Sequence, residues 1–155
     1  MKAMVLAAGL GARLRPATLS VPKPLFEVLG VPAIDWALAG LRDAGVRACA
    51  INISYLGASL VRHVGSGAQW DLDVLWSDEP EVLGTGGGLS AVRDFFSGEP
   101  AFLLHNGDVF TDWDLAALVA GHRKAGVSAT MALVDPPDRD DARMVEVNDD
   151  GRVVG

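Results

Sequence analysis

Four stretches of this chain are apolar and short, and they constrain its fold more than any other feature. They are Val5–Ala8 (preceded by Lys2-Ala3-Met4), Ala48–Ile53, Ala101–Leu104 and Ala129–Val134. Continuous runs of this length belong to strands buried on both faces, which is the situation of a parallel sheet. Trp70, Leu72, Val74 and Trp76 instead alternate with Asp71 and Asp73, the period of a half-exposed strand. Helical spacing fills the gaps. Ile34, Ala37, Leu38 and Leu41 follow Pro32 and stop before Gly45. Leu56, Leu60 and Val64 predict a short helix, and Leu89, Val92, Phe95 and Phe96 give one apolar face to a helix predicted over 85–96. Thr111 and Asp114 make a capping-box-like start for a helix carrying Leu115, Leu118 and Val119. The order β-α-β-α-β-α-β-α-β predicts a three-layer α/β domain, a mostly parallel sheet with helices on both faces.

The carboxyl end reads differently. Met144–Val147 and Arg152–Val154 flank Asn148-Asp149-Asp150-Gly151, a β-hairpin signal. The sequence stops at Gly155 inside the returning strand, so a C-terminally truncated domain is expected.

Composition narrows the function classes. Half of the 155 residues are apolar, as a folded core requires, and the formal net charge is -7. No broad basic surface is left for nucleic acid or an anionic membrane, so any phosphate must be held locally by a few cations and backbone amides. Cys49 is the only cysteine, which excludes an intrachain disulfide and suits a reducing compartment. Residues 1–12 imitate a signal peptide, but Gly9 and Gly11 interrupt the apolar stretch and Arg13 and Arg15 follow at once. No apolar run is long enough to span a bilayer, and a cytoplasmic location is expected.

Three segments carry chemistry. In the first, Leu6-Ala7-Ala8-Gly9-Leu10-Gly11-Ala12-Arg13-Leu14-Arg15-Pro16, an apolar strand feeds a glycine turn. Successive N–H groups in such a turn can face one concavity and bind phosphate. Arg13 adds a forked donor, and Lys23, between Pro22 and Pro24 in a segment expected to be stiff and extended, adds a point charge. A dinucleotide fingerprint needs a third glycine where Leu14 stands, and a P-loop needs Gly-Lys-Ser/Thr, which is absent. A bare Gly-x-Gly is also an ordinary tight turn, so the loop alone does not decide.

The second segment is Glu81-Val82-Leu83-Gly84-Thr85-Gly86-Gly87-Gly88-Leu89, whose glycines let a flat ring lie against backbone; a flexible helix start has the same composition. The third is Asn106-Gly107-Asp108 after the 101–104 strand. Ligands collect at the carboxyl ends of parallel strands, and an aspartate there suits Mg²⁺, which shares oxygen ligands with phosphates. A turn aspartate capping the next element is the plain alternative.

Taken together, Leu-Ala-Ala-Gly-x-Gly-x-Arg-Leu-x-Pro, Thr18 and Pro22-Lys23-Pro24 closely resemble the signature of the sugar-1-phosphate nucleotidyltransferase family. The resemblance implies a Rossmann-like fold of which residues 1–155 are the N-terminal, nucleotide-binding portion, with the sugar-binding portion missing. It implies transfer of a nucleotidyl group from an NTP to a sugar-1-phosphate with release of pyrophosphate, assisted by Mg²⁺. Nucleotide binding then falls on Ala8, Gly9, Gly11, Ala12, Arg13, Lys23, Thr85, Gly86 and Asn106, catalysis on Arg13 and Lys23, and the metal on Asp108. Family enzymes take a second metal-binding aspartate from a later segment, and Ala12 stands where many carry Ser, Thr or Glu. The glycine and Asn-Gly-Asp segments look most like N-acetylmuramate-1-phosphate uridylyltransferases of peptidoglycan recycling, and Leu83-Gly84-Thr85 equally like mannose-1-phosphate guanylyltransferases. UTP is therefore favoured over GTP. A non-catalytic nucleotide- or sugar-phosphate-binding regulatory module of the same fold is the alternative, and nothing in the sequence fixes an oligomeric state.

The remaining candidates are weaker. Asp112 and Asp114 read as helix caps rather than metal ligands. His63 and His122 read as helix-surface residues and His105 as a strand residue, none with ligand spacing. Asp138, Asp140 and Asp141 form an acidic loop, within which the resemblance offers Asp141 as a sugar contact. Trp36, Trp70, Trp76 and Trp113 read as packing residues rather than a sugar platform.

Overall fold

The computed structural model describes residues 1–134 and 144–154. Four parallel strands form the central sheet: β1 (Lys2–Leu6), β4 (Ala48–Ile53), β5 (Asp73–Asp78) and β6 (Phe102–Asn106), in the spatial order β5-β4-β1-β6. A separate antiparallel pair, β2 (Glu27–Val28) and β3 (Val31–Pro32), lies between β1 and β4 in sequence.

Strand alternation sorts side chains into two cores. Ala3, Val5 and Ala7 face one side of the sheet with Cys49, Ile51 and Ile53. Helices α1 (Ala33–Asp43) and α2 (Gly57–Val64) cover that side, burying Ile34, Leu38, Leu41, Leu60 and Val64. Burying each of these large side chains contributes roughly 1.5–3 kcal/mol. Helix α4 (Leu115–Ala125) packs outside on α1, where Leu115 approaches Gly40. The opposite side carries Met4 and Ala50 under Val92 and Phe96, which follow α3 (Gly84–Ala91). Helices on both faces of a parallel sheet are what the apolar runs predict.

The helix ends have local causes. Helix α1 closes with the N–H of Val46 bonded to the Leu41 carbonyl and that of Gly45 to Arg42, while Gly45 takes φ +85°. This is the glycine stop expected after Leu41. Asp114 caps α4 by accepting the Ala117 N–H at 2.9 Å, and the Thr111 hydroxyl accepts from Trp113 N–H just before it. Capping, not metal binding, is what Asp114 does.

Five expectations need correction. The run Ala101–Leu104 does become a parallel strand, β6, but Phe102 and Leu104 are exposed, so it is not covered on both faces. Residues 129–134 pair with no strand of the sheet; Met131 and Val134 are exposed, and β6 has only β1 beside it among the described residues. An apolar run signals burial but does not supply a partner strand. The alternating stretch from Trp70 starts its strand only at Asp73, because Asp71 adopts a left-handed conformation after a 3₁₀ turn at Ala68–Trp70. The helix expected over 85–96 breaks at Val92 (φ -112°, ψ 18°) and continues as a 3₁₀ turn, Arg93–Phe96. Lys23 does not lie in an extended segment: it opens a 3₁₀ turn, Lys23–Leu25, with Pro22 extended before it.

The hairpin signal corresponds to a bridge between Val147 and Val153 across a turn in which Gly151 takes φ +73°. Trp70 is buried and Trp76 donates to the Gly65 carbonyl, as packing residues should. Trp36 and Trp113 are both exposed, against their reading as packing residues, although Trp36 still meets Phe110 edge-on. His63 sits on α2 against Asp35, His122 on α4 against Thr130, and His105 within β6. Asp138, Asp140 and Asp141 lie outside the described residues. No helix is long and apolar enough to cross a membrane.

Candidate active site

All four sheet strands run the same way, so their carboxyl ends open on one edge. Leu6 stands level with Asn52 of β4 and Asn106 of β6, and Ile53 stands level with Asp78 of β5. The segments that leave these positions are therefore neighbours although they are distant in sequence.

From β1 the chain enters the glycine loop. Gly11 takes φ +59°, and a Cβ there would meet Thr18 Cγ2 at 2.8 Å and Lys23 Cβ at 3.4 Å. A glycine is required by both conformation and space. The buried Thr18 donates its hydroxyl to the Gly11 carbonyl at 3.0 Å, which folds the loop back on itself and brings the Pro22-Lys23-Pro24 segment beside it. Ala12 and Arg13 lie exposed on the 3₁₀ turn Ala12–Leu14, which closes with the Leu14 N–H on the Gly11 carbonyl. Ala8 is buried at the loop's start and Gly9 is exposed.

From β6 the chain enters Asn106-Gly107-Asp108. The N–H of Gly107 donates to the Leu6 carbonyl at 2.9 Å, so this turn leans on the start of the glycine loop. A Cβ on the buried Gly107 would lie 3.2 Å from Val5 and 3.3 Å from the Leu6 carbonyl oxygen. The result is a direct contact: Lys23 Nζ lies 2.5 Å from Asp108 Oδ2, with both side chains only partly exposed. The loop, its lysine and the downstream aspartate thus converge on one side of the sheet. Beside them, His105 donates Nδ1–H to the Asn106 carbonyl. Burial pushes its pKa below the ordinary value, partly offset by that hydrogen bond and by the nearby Asp108 carboxylate.

Thr85 and Gly86 lie exposed in the first turn of α3, whose first residue, Gly84, takes φ +71°. Between the segment leading to α3 and the glycine loop is an open cleft of about 540 Å³, lined among others by Leu10, Tyr55, Glu79 and Val82.

Sequence reasoning missed two residues here. Asn52 and Glu79 are both buried and bonded to each other beneath this cleft. Asn52 leaves a trace, as the one polar residue in the run Ala48–Ile53, whereas Glu79 is hidden among Asp78 and Glu81.

No three His, Cys, Asp or Glu side chains converge as a metal site among the described residues. The donor set at the β6 end is one partly exposed carboxylate, Asp108, beside the Lys23 ammonium. That set fits a hard cation that takes most of its oxygen ligands from water and from a bound phosphate.

The fold and the gathered loops define a doubly wound α/β protein with its binding edge at the strand ends. The model of the family described as "Nucleotidyl transferase" matches residues 2–155, and the chain belongs to that family. It is 41% identical over 140 residues to an N-acetylmuramate alpha-1-phosphate uridylyltransferase of Neisseria meningitidis, covering 88% of this chain and 60% of that protein. It is 35% identical over 152 residues to a mannose-1-phosphate guanylyltransferase of Mycobacterium tuberculosis, covering 98% of this chain and 42% of the relative. Among solved structures, HddC from Yersinia pseudotuberculosis complexed with GMP-PN superposes with a TM-score of 0.67 at 26% identity, over 78% of this chain and 53% of that one. The chain thus spans about half the length of the relatives it matches.

Proposed function

We propose that this chain is the nucleotide-binding portion of an enzyme that joins an NTP to a sugar-1-phosphate. A sugar-phosphate oxygen forms a bond to the α-phosphorus, the bond from that phosphorus to the bridging oxygen breaks, and pyrophosphate leaves. The observation that carries this reading is the 2.5 Å approach of Lys23 to Asp108 beside the glycine loop. Phosphoryl transfer needs alignment and neutralised charge more than covalent help, and this arrangement offers both.

In this reading the amides around Ala8, Gly9, Gly11 and Ala12 cradle the triphosphate, while Arg13 and Lys23 neutralise charge on the leaving pyrophosphate. Asn106, Thr85 and Gly86 face the nucleoside. Asp108 would hold Mg²⁺, and Asp141 would contact the sugar. When bound, the cation would supply Lewis-acid polarisation of phosphate oxygens. UTP with N-acetylmuramate-1-phosphate is the favoured pair, supported by 41% identity to the uridylyltransferase against 35% to the guanylyltransferase. A role in peptidoglycan recycling in the cytoplasm goes with that pair.

The test is pyrophosphate release over UTP and GTP with N-acetylmuramate-, mannose- and glucose-1-phosphate, with EDTA as control, alongside calorimetric NTP titration. Turnover abolished by EDTA supports the proposal. Mg-NTP binding without pyrophosphate release supports the binding-module reading, and no binding of either nucleotide overturns both.

A further inference from the structure

The Asn52–Glu79 pair makes a continuous hydrogen-bonded strut between two loops. Asn52 Oδ1 accepts the N–H of Ala7 at 2.8 Å, at the root of the glycine loop. Asn52 Nδ2 donates to Glu79 Oε1 at 2.8 Å, and Glu79 Oε2 accepts the N–H of Leu83 at 2.9 Å, one residue before Gly84. Asn52 is 3% and Glu79 2% exposed. A carboxylate this deeply buried is costly unless its lone pairs are filled, so a purely architectural role would be served better by apolar side chains. Helix α3 also rests on the pair. A Cβ on Gly88 would lie 2.7 Å from Glu79 Oε1 and 2.8 Å from Asn52 Nδ2.

We propose that Asn52 and Glu79 are positioning residues that fix the distance between the phosphate-binding loop at 7–13 and the nucleoside-binding loop at 83–88. This role rests on the nucleotide-binding reading above. One NTP must engage both loops at once, and each loop is pinned by a backbone N–H at its base to one end of the strut. The two side chains set that span without touching the ligand. They act by removing loop motions that binding would otherwise have to arrest.

The pattern of donors and acceptors gives a discriminating test. Asn52→Asp sets a second carboxylate against Glu79. Glu79→Gln presents an amide to two groups that both donate, and one N–H is orphaned either way. In the double variant N52D/E79Q every bond returns, with the polarity of the central one reversed. The new carboxylate at position 52 accepts from the Ala7 N–H and from the new side-chain amide at position 79, whose oxygen accepts from the Leu83 N–H. Affinity for Mg-UTP and Mg-GTP is measured by calorimetry on the 155-residue chain, well below the melting transition, with hydrogen exchange followed at Ala7 and Leu83.

Each single variant is expected to weaken binding of the preferred nucleotide about tenfold or more and to speed exchange at both amides. The double variant is expected to return to within about threefold of wild type. Gly88→Ala, which wedges the pair from α3, should weaken binding as the singles do. If a single variant does not fold, the double variant and Gly88→Ala decide by the same criteria. Singles that melt earlier yet bind as wild type, or a double variant no better than either single, overturn the positioning role alone. A wild-type chain that binds neither nucleotide overturns the nucleotide reading and this role with it.

Discussion

The ammonium of Lys23 lies 2.5 Å from the carboxylate of Asp108, joining a turn near the start of the chain to the end of the last strand in the sheet. Pairs as exposed as this one contribute little to stability, typically under about 1 kcal/mol. The contact therefore adds little as a brace, and the proposed function gives the lysine a catalytic task that can be tested. Lys23→Ala should lower the rate of pyrophosphate release about a hundredfold or more while changing NTP affinity much less. Steady-state turnover set beside calorimetric binding tests this, and an unchanged rate would refute a catalytic role for the lysine.

The two glycines of the first loop should behave differently. Gly11 has φ +59° and no room for a Cβ beside Thr18, so Gly11→Ala is expected to cost about 1–3 kcal/mol. Gly9 has ordinary φ and nothing within 4 Å, so Gly9→Ala should stay within about 0.5 kcal/mol of wild type. Urea melts of the two variants settle the comparison; equal losses would show that the loop is not built as described.

This contrast also shows what the sequence could convey. The apolar runs at Val5–Ala8 and Ala48–Ile53 announce buried parallel strands because a doubly covered strand favours them, whereas the run at Ala101–Leu104 gives a parallel strand, β6, whose Phe102 and Leu104 stay exposed. The convergence of the Gly9–Ala12 loop, Lys23 and Asp108 was legible for the same reason, since each belongs to a strand end or to the turn folded against it. Residues 129–134 were misleading because apolarity encodes a need for cover but not the identity of the neighbour. Asp71 shows that a period of two persists through a left-handed turn. Glu79 could not be found at all: its burial depends on Asn52 and Gly88, which local sequence does not bring together.

His105 should make stability sensitive to mild acid. Burial lowers its folded-state pKa below 6.5, so well above pH 6.5 it is neutral folded and unfolded alike. As pH falls below 6.5 the unfolded chain takes up the proton first, and stability is lost until the folded-state pKa is passed. Melting temperature should therefore fall, as pH drops from about 7 through 6.5, more steeply in wild type than in His105→Gln. Parallel curves for the two proteins would show that the imidazole does not contribute.

Cys49 lies in the middle of β4 with no exposure, and burial pushes its thiol pKa up to about 12. Almost no thiolate exists at neutral pH, and thiolate is the reactive species. The native protein should resist thiol reagents at about pH 8 and react only as it unfolds. Mass spectrometry after timed alkylation checks this; rapid modification of folded protein would contradict the packing around Ala3 and Ile51.

The strand order β5-β4-β1-β6 has a consequence for how the molecule is made. Strand β1 is synthesised first, yet one of its two neighbours, β6, begins only at Phe102. At about 5–20 residues per second on the ribosome, that edge of β1 waits on the order of ten seconds for its partner. Throughout that interval one edge of an apolar strand keeps its amides and carbonyls unmet, open to pairing with another chain until translation reaches its mate.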